Sequence, residues 1–376
     1  MQSREMGVKG DALESIDAAR YELNMAAEHQ HYVPQLLLRG FLSQIGDEAK
    51  KEQVRVFDLD AKKQFSPSIT NIMGERRFND WWIDDDILLS IEQSSSQIES
   101  QLAPLIERIR AERRLEVTQE NISNLALLVA FQFIRTKKMR LLPERLNQQV
   151  IDKIKRMGLD PAKVDGLMDT DKESLKLAHV RQQVKNLGKF TDIMVDKVFF
   201  VMTAPEGKNF YLSDHPVALH MEKEHLGPMR GLGIGVPYIQ IYLPLSADVT
   251  LCAYDRAVLG NLQRIRDQSM NEGAREALKA LREGRIAPSQ MKTVIDGARE
   301  YDVISPMLDA IRAGDPVAAN ADQVDHCNSL QVFHAQRFVV DPAGRFDIVG
   351  EMIAEREASL KREKLRSHGT QKHTET

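Results

Sequence analysis

The sequence predicts an α+β fold that is mainly helical, with a small, mainly antiparallel sheet near its centre. Apolar residues recur at helical spacing through residues 87–190 and again after residue 257. Between these regions, runs of β-branched and aromatic residues alternate with Gly, Pro, Asp and Asn, a pattern typical of antiparallel strands. Because the late helices need earlier elements to pack against, we expect one α+β domain over residues 29–350.

The composition is that of a globular protein, with 42% hydrophobic and 28% charged residues in 376. A formal net charge of −4 gives no global basic field for nucleic acid, which leaves a local basic cleft as the alternative. Cys252 and Cys327 are too few for a disulfide framework, so we expect a reducing, cytoplasmic location. No apolar signal core opens the chain, and no apolar run approaches the roughly 20 residues of a membrane helix, so no membrane partner is expected.

The first third of the chain contains several predicted helices. Residues 11–28 predict a helix within an N-terminal extension, residues 1–28. Another begins at Pro34, because proline suits the first turn of a helix, and runs to residue 41. Residues 53–59 alternate as a strand does. Long helices are predicted over residues 87–114, with a kink at Pro104, and over residues 118–140.

The remaining elements follow the same rules. Shorter charged helices are expected over residues 143–190. Later helices are expected over residues 257–283, from residue 288, and over residues 322–335. The predicted strands cover residues 194–202, 210–212, 217–221, 239–243 and 249–253, with a last hairpin of residues 336–340 and 346–349. The charged tail, residues 351–376, should be partly disordered.

His31 precedes the predicted Pro34 helix, in the motif His31-Tyr32-Val33-Pro34-Gln35. Free backbone N–H groups at a helix start favour an anion, and an imidazole suits proton transfer. Gln35, one turn later, could donate to the same ligand. The alternative is that His31 is a structural cap of that helix.

A second candidate lies in residues 121–136, a helix that is apolar on nearly all sides and therefore buried. Gln132 and Arg135 lie near one face of it. A buried guanidinium needs a partner, which is a carboxylate, a cluster of carbonyl groups or an anionic ligand, and the structural alternative is an internal salt bridge with Glu99. Both hold if Glu99 orients Arg135 toward a ligand.

Ser213-Asp214-His215-Pro216 forms a polar turn between two predicted strands. Asp214 there is a general base, a metal ligand or a partner of His31; the alternative is an Asx turn before proline. His29 and His31 have a spacing that suits a metal, but no ligand set is completed. The cofactor is therefore unknown, and a divalent metal stays open.

These segments together resemble a bacterial family catalogued as domain of unknown function number 4238. The resemblance spans about residues 29–340 and departs from the family pattern at Leu36 and His215. It is carried by His31–Gln35, Leu38–Phe41, Ile98-Glu99, Phe131–Thr136, Leu212–Val217, Pro244–Ser246 and Asn328. It implies no established activity, but it marks the polar residues His31, Gln35, Glu99, Gln132, Arg135, Ser213, Asp214 and Asn328.

Our main hypothesis is a hydrolase acting on a phosphodiester, such as a nuclease, in which His31 is the general acid or base. Arg135 with Gln132 would clamp the anion, and Asp214 would orient His31 or bind a metal. Alanine at His31 or Arg135 should then abolish activity and leave the melting temperature nearly unchanged. The alternative is a non-enzymatic sensor that holds an anionic ligand or a partner in the same pocket. A defence or toxin role against nucleic acid is a biological version of the first hypothesis.

Overall fold

A computed structural model describes residues 29–43, 52–84, 87–164, 171–222, 233–300 and 302–358. The predicted helix over residues 11–28 and most of the predicted tail lie outside the described residues. The mainly helical α+β class is confirmed.

The helices account for most of the described chain. They are α1 (Gln35–Leu38), α2 (Glu92–Glu112), α3 (Gln119–Ile134), α4 (Lys137–Arg156), α5 (Lys172–Val195), α6 (Arg256–Arg282), α7 (Met291–Glu300), α8 (Ile304–Ala313), α9 (Ala321–His334) and α10 (residues 347–358). Short 3-10 turns cover Arg39–Phe41, Ile69–Asn71, Pro161–Lys163 and Pro288–Gln290. Of the helices within the described ranges, none is both long and apolar enough to span a bilayer.

The strands are short and mostly antiparallel. They are β1 (His29–His31), β2 (Val56–Asp58), β3 (Lys63–Phe65), β4 (Gly74–Arg76), β5 (Asp80–Asp84), β6 (Ile87–Ser90), β7 (Val198–Thr203), β8 (Leu212–Ser213), β9 (Ala218–His220), β10 (Gln240–Ser246), β11 (Val249–Tyr254), β12 (Val317–Ala318) and β13 (Phe338–Val340). The largest sheet has the order β12-β7-β11-β10-β9, in which only β12 and β7 run parallel. A four-stranded sheet has the order β3-β2-β13-β8, and β1-β4 and β5-β6 form separate pairs.

Helix α3 is buried on nearly all sides, as its apolar sequence predicts. The hydroxyl of Thr118 accepts the backbone N–H of Asn121 at 3.2 Å, which caps the start of the helix. The helix ends at Ile134, and Thr136 begins a new one, so the predicted single helix over residues 118–140 is wrong at this point. This break gives Arg135 its position between two helices.

Two other predictions are wrong because short apolar runs do not distinguish a strand from a helix. Ile87–Ser90 forms β6, paired with β5, and the long helix begins only at Glu92. Residues 347–358 are helical, so no hairpin follows β13. Strand β13 instead pairs with β2 and β8.

The segment after His31 is fixed against the largest sheet by a close backbone approach at Gly40. A Cβ placed on Gly40 would lie 2.1 Å from the carbonyl oxygen of Leu245 in β10. The guanidinium of Arg110 joins the same elements, because it donates to the carbonyls of Leu245 at 2.8 Å and of Leu36 at 2.8 Å. The α1 segment therefore has a fixed position relative to both β10 and α2.

Candidate functional site

An open cleft of about 370 Å³ lies between β1, α1 and the first three turns of α2. His29 and His31 are two residues apart on β1 and so project to the same side, with ring centroids 5.1 Å apart. The cleft is lined by His29, His31, Gln35, Leu36, Arg39, Glu92, Glu99, Ser100 and Ala103. It is the place where the predicted residues His31, Gln35 and Glu99 come together.

The imidazole of His31 is held in one tautomer. Its Nε2 lies 3.1 Å from the carbonyl oxygen of Ile69. Because a carbonyl oxygen only accepts hydrogen bonds, Nε2 carries the hydrogen and Nδ1 carries a lone pair, for which no partner occurs among the described residues. Burial lowers the pKa of His31 below its usual value, although the bond to Ile69 opposes this effect. His31 is therefore a neutral base at physiological pH.

Arg135 lies behind this cleft and not in it. Its side chain is 2% exposed, Nη1 meets Glu99 Oε1 at 2.5 Å, and its guanidinium stacks over the ring of Phe131 at 4.4 Å. Glu99 is 29% exposed and lines the cleft. The internal salt bridge weighed in the sequence is therefore present, and Arg135 fixes a carboxylate that faces the cleft.

Two side chains of α3 also hold the backbone of the His31 motif. Arg135 Nη2 donates to the carbonyl oxygen of His31 at 2.7 Å, and Gln132 Nε2 donates to that of Tyr32 at 3.0 Å. Residues 132 and 135 lie one turn apart, so they reach successive carbonyls of an extended chain. The buried helix thereby fixes the backbone that carries the imidazole.

Asp214 and Ser213 lie in a different polar cluster. The carboxylate of Asp214 is buried and accepts the backbone N–H groups of residues 336, 337 and 338 at 2.7, 2.9 and 3.1 Å. Burial raises its pKa to about 6 in spite of these bonds. Among the described hydrogen bonds none joins Asp214 to His31, whose ring is oriented by Ile69 instead. Ser213 Oγ donates to Gln331 Oε1 at 2.8 Å.

Asn328 lines a second cavity, of about 230 Å³, and not the His31 cleft. Its Oδ1 accepts the backbone N–H of Tyr211 at 2.7 Å, and its Nδ2 donates to the carbonyl of Asn209 at 2.9 Å. Both bonds tie α9 to the segment that precedes β8. A pure packing role therefore accounts for the contacts of this side chain.

Three further charged or polar side chains line the cleft that the sequence did not identify as site residues, namely Glu92, Arg39 and Ser100. Arg39 lies within the motif segment, one turn after Gln35, a spacing that places both on one rim. Glu92 is the first residue of α2, and the wrong helix start at residue 87 concealed that position. In the part of the chain that the structure describes, no three His, Cys, Asp or Glu side chains are grouped to hold a metal ion.

Comparison with known proteins identifies one family. The model of a family described as protein of unknown function (DUF4238) matches residues 29–342, which is most of the chain. The chain belongs to the DUF4238 family. No curated protein and no solved structure matches it.

Three of the sequence segments on which the resemblance was based contact one another in this DUF4238 protein. The His31–Gln35 segment is bonded to α3 through Arg135 and Gln132. The hydroxyl of Thr136, at the end of that helix, lies 2.6 Å from His215 Nδ1. These segments are therefore hydrogen-bonded partners, and of the side chains in these three segments only His31 and Gln35 line the cleft.

Proposed function

We propose that this protein is a hydrolase of phosphodiesters, with His31 as the general base that activates water. The observation that carries the proposal is the hydrogen bond from His31 Nε2 to the carbonyl of Ile69 in an open cleft. It leaves Nδ1 able to accept a proton, and burial keeps the ring neutral. A general base needs both properties at neutral pH.

The rim formed by Arg39 and Gln35 supports a phosphodiester as the substrate. The guanidinium of Arg39 is 46% exposed, and its Nη2 lies 3.5 Å from Gln35 Oε1. It pairs with Glu52 in an exposed salt bridge, which contributes little stability and is readily exchanged for a phosphate. In this proposal Arg39 and Gln35 bind the anion, and Arg135 positions Glu99 and the His31 backbone.

The test is hydrolysis of bis(4-nitrophenyl) phosphate by the full chain and by His31→Ala. We expect a loss of activity of about 100-fold or more, the usual contribution of a general base. Added imidazole should restore part of the rate. His220→Ala is the matched control, because His220 lies on β9 and does not line the cleft.

If His31→Ala keeps full activity, or if the wild type does not hydrolyse the diester, the proposal fails. If His31→Ala loses activity together with its melting transition, the residue is structural. Rescue by imidazole separates these cases, because a small molecule replaces a missing base and does not refold a chain.

A second candidate is a sensor that binds an anion in the same cleft without turnover. The described hydrogen bonds of Arg135 favour it, because they are made to Glu99 and to the His31 backbone. This arginine therefore holds the walls of the cleft in place, as a binding site needs, and takes no part in a reaction. A sensor predicts a rise in melting temperature with inorganic phosphate or a mononucleotide and no product. Arg39→Ala should remove that rise.

A defence or toxin role would be the biological form of the nuclease. It predicts slow growth of cells that express the wild type and normal growth with His31→Ala. Normal growth with both would count against this role.

A further inference from the structure

Glu92 lines the same cleft as the two histidines, from α2 and not from β1, and among the described residues only one of its carboxyl oxygens is bonded. It is the first residue of α2, and its backbone N–H donates to the hydroxyl of Ser90 at 3.2 Å. Its Oε2 accepts Nδ2 of Asn79 at 2.6 Å. Within the described residues Oε1 has no hydrogen-bond partner, and Glu92 lines the cleft. The carboxyl group is therefore positioned through one oxygen, and the other is available.

A short chain of hydrogen bonds connects Glu92 to the strand that carries His31. Asn79 donates its backbone N–H to Gln30 Oε1 at 2.6 Å. Gln30, the middle residue of β1, also donates Nε2 to Asp80 Oδ1 at 2.7 Å. All three of these supporting residues are buried. The network thus connects the Glu92 carboxyl to Gln30, the residue that precedes His31 on β1.

The electrostatic surroundings of Glu92 favour its protonated form. Burial raises the pKa of its carboxyl, and the nearby acidic groups Glu99 on α2 and Asp80 on β5 raise it further. The bond from Asn79 and the charge of Arg135 on α3 oppose the change. The cleft is therefore lined by a carboxyl with a raised pKa and by a histidine with a lowered pKa, a pairing that suits general acid and base catalysis.

We propose that Glu92 is the general acid of this cleft, which protonates the leaving oxygen while His31 takes the proton of the attacking water. This proposal rests on the proposed hydrolase function. The water oxygen forms the new bond to phosphorus as its proton passes to His31 Nδ1. The bond from phosphorus to the leaving oxygen breaks, and its electron pair accepts the proton of Glu92. The proton on His31 then returns to Glu92 through solvent, which restores both groups.

The test compares two substrates that differ only in the leaving group, methyl 4-nitrophenyl phosphate and methyl phenyl phosphate. The nitrophenolate is a good leaving group and needs little protonation, whereas phenolate needs an acid. For Glu92→Gln we expect kcat/KM to fall by about 100-fold or more on the phenyl ester and by less than about 10-fold on the nitrophenyl ester. The limb of the rate profile that reports the loss of the proton from Glu92 should disappear, and the limb that reports His31 should remain.

Glu120→Gln is the matched control, because Glu120 is also a first-turn glutamate, on α3, and is exposed outside the cleft. An equal loss on both substrates, or no loss on either, overturns the general acid role while the hydrolase function stands. Failure of the wild type to hydrolyse either substrate overturns the hydrolase function and this proposal with it. Glutamine retains an oxygen that accepts from Asn79, so the variant should fold.

Discussion

Arg135 and His31 are joined through the main chain, because Nη2 of the arginine donates to the carbonyl oxygen of the histidine at 2.7 Å. The same guanidinium forms an ion pair with Glu99 at 2.5 Å. One buried cation therefore fixes both the backbone of the candidate base and a carboxylate of the cleft. Arg135 therefore stabilises the fold directly, and it affects the cleft only through the positions of His31 and Glu99.

Arg135→Ala should destabilise the protein strongly, by about 3–5 kcal/mol, since it leaves a partly buried carboxylate and a carbonyl without their partner. Urea unfolding measures this loss. Arg312→Ala, which removes an exposed pair with Asp309, should cost about 1 kcal/mol or less. Equal losses for the two variants would contradict the account. The structure thus changes the expectation drawn from the sequence, that alanine at residue 135 leaves the melting temperature nearly unchanged.

Gly40→Ala should destabilise the protein by at least about 1–3 kcal/mol, because the new Cβ would meet the carbonyl oxygen of Leu245 at 2.1 Å and backbone must shift. Gly188→Ala is the control. Gly188 lies inside α5 with no atom within 4 Å of the added Cβ, so alanine there should stabilise by about 0.5–1 kcal/mol. Thermal or urea unfolding checks both, and a neutral Gly40→Ala would show that the close approach is not required.

The protein should lose stability as the pH falls from 7 to 5. Burial lowers the pKa of His179 to about 3 and that of His334 to about 4, and it places that of His215 well below 6.5. Below pH 6.5 these histidines bind protons in the unfolded chain but stay neutral in the folded protein, so the free energy of unfolding falls.

Asp214 acts in the opposite direction. Its pKa is raised to about 6 in the folded state, so the folded state binds the extra proton between pH 6 and about 4. The effect of the three histidines is larger than that of the one carboxyl. We therefore expect the free energy of unfolding, measured with urea, to fall by on the order of 3 kcal/mol between pH 7 and 5. His179→Gln should reduce this slope. A stability that does not change with pH would contradict the assigned charge states.

The fold was predictable where the signals are local. Thr118 indicates the start of α3, because its hydroxyl can accept a hydrogen bond from the backbone N–H three residues later. Pro34 likewise marks the start of α1. The predictions for residues 87–90 and 346–349 are wrong because a four-residue run with three apolar residues fits the period of a helix as well as that of a strand. Pairing of such runs depends on distant strands, which one sequence does not reveal.

The candidate site was predictable in its location and less so in its roles. His31 and Glu99 do line one cleft, and the ion pair of Glu99 with Arg135 was one of the alternatives drawn from the sequence. The partner of His31 is a main-chain carbonyl, that of Ile69, and main-chain groups carry no sequence signal. Asp214 likewise accepts hydrogen bonds from backbone N–H groups. Its polar motif therefore suggested a functional site, although the side chain makes a structural contact.

We infer that His31, which lines the cleft, is a neutral base with hydrogen on Nε2 and a lone pair on Nδ1. Long-range ¹H–¹⁵N correlation spectra of protein labelled in its histidines measure it directly, with the His31 signals assigned by their loss in His31→Ala. The account predicts the tautomer with hydrogen on Nε2 and a midpoint below pH 6.5. Hydrogen on Nδ1, or a midpoint above 6.5, would contradict it.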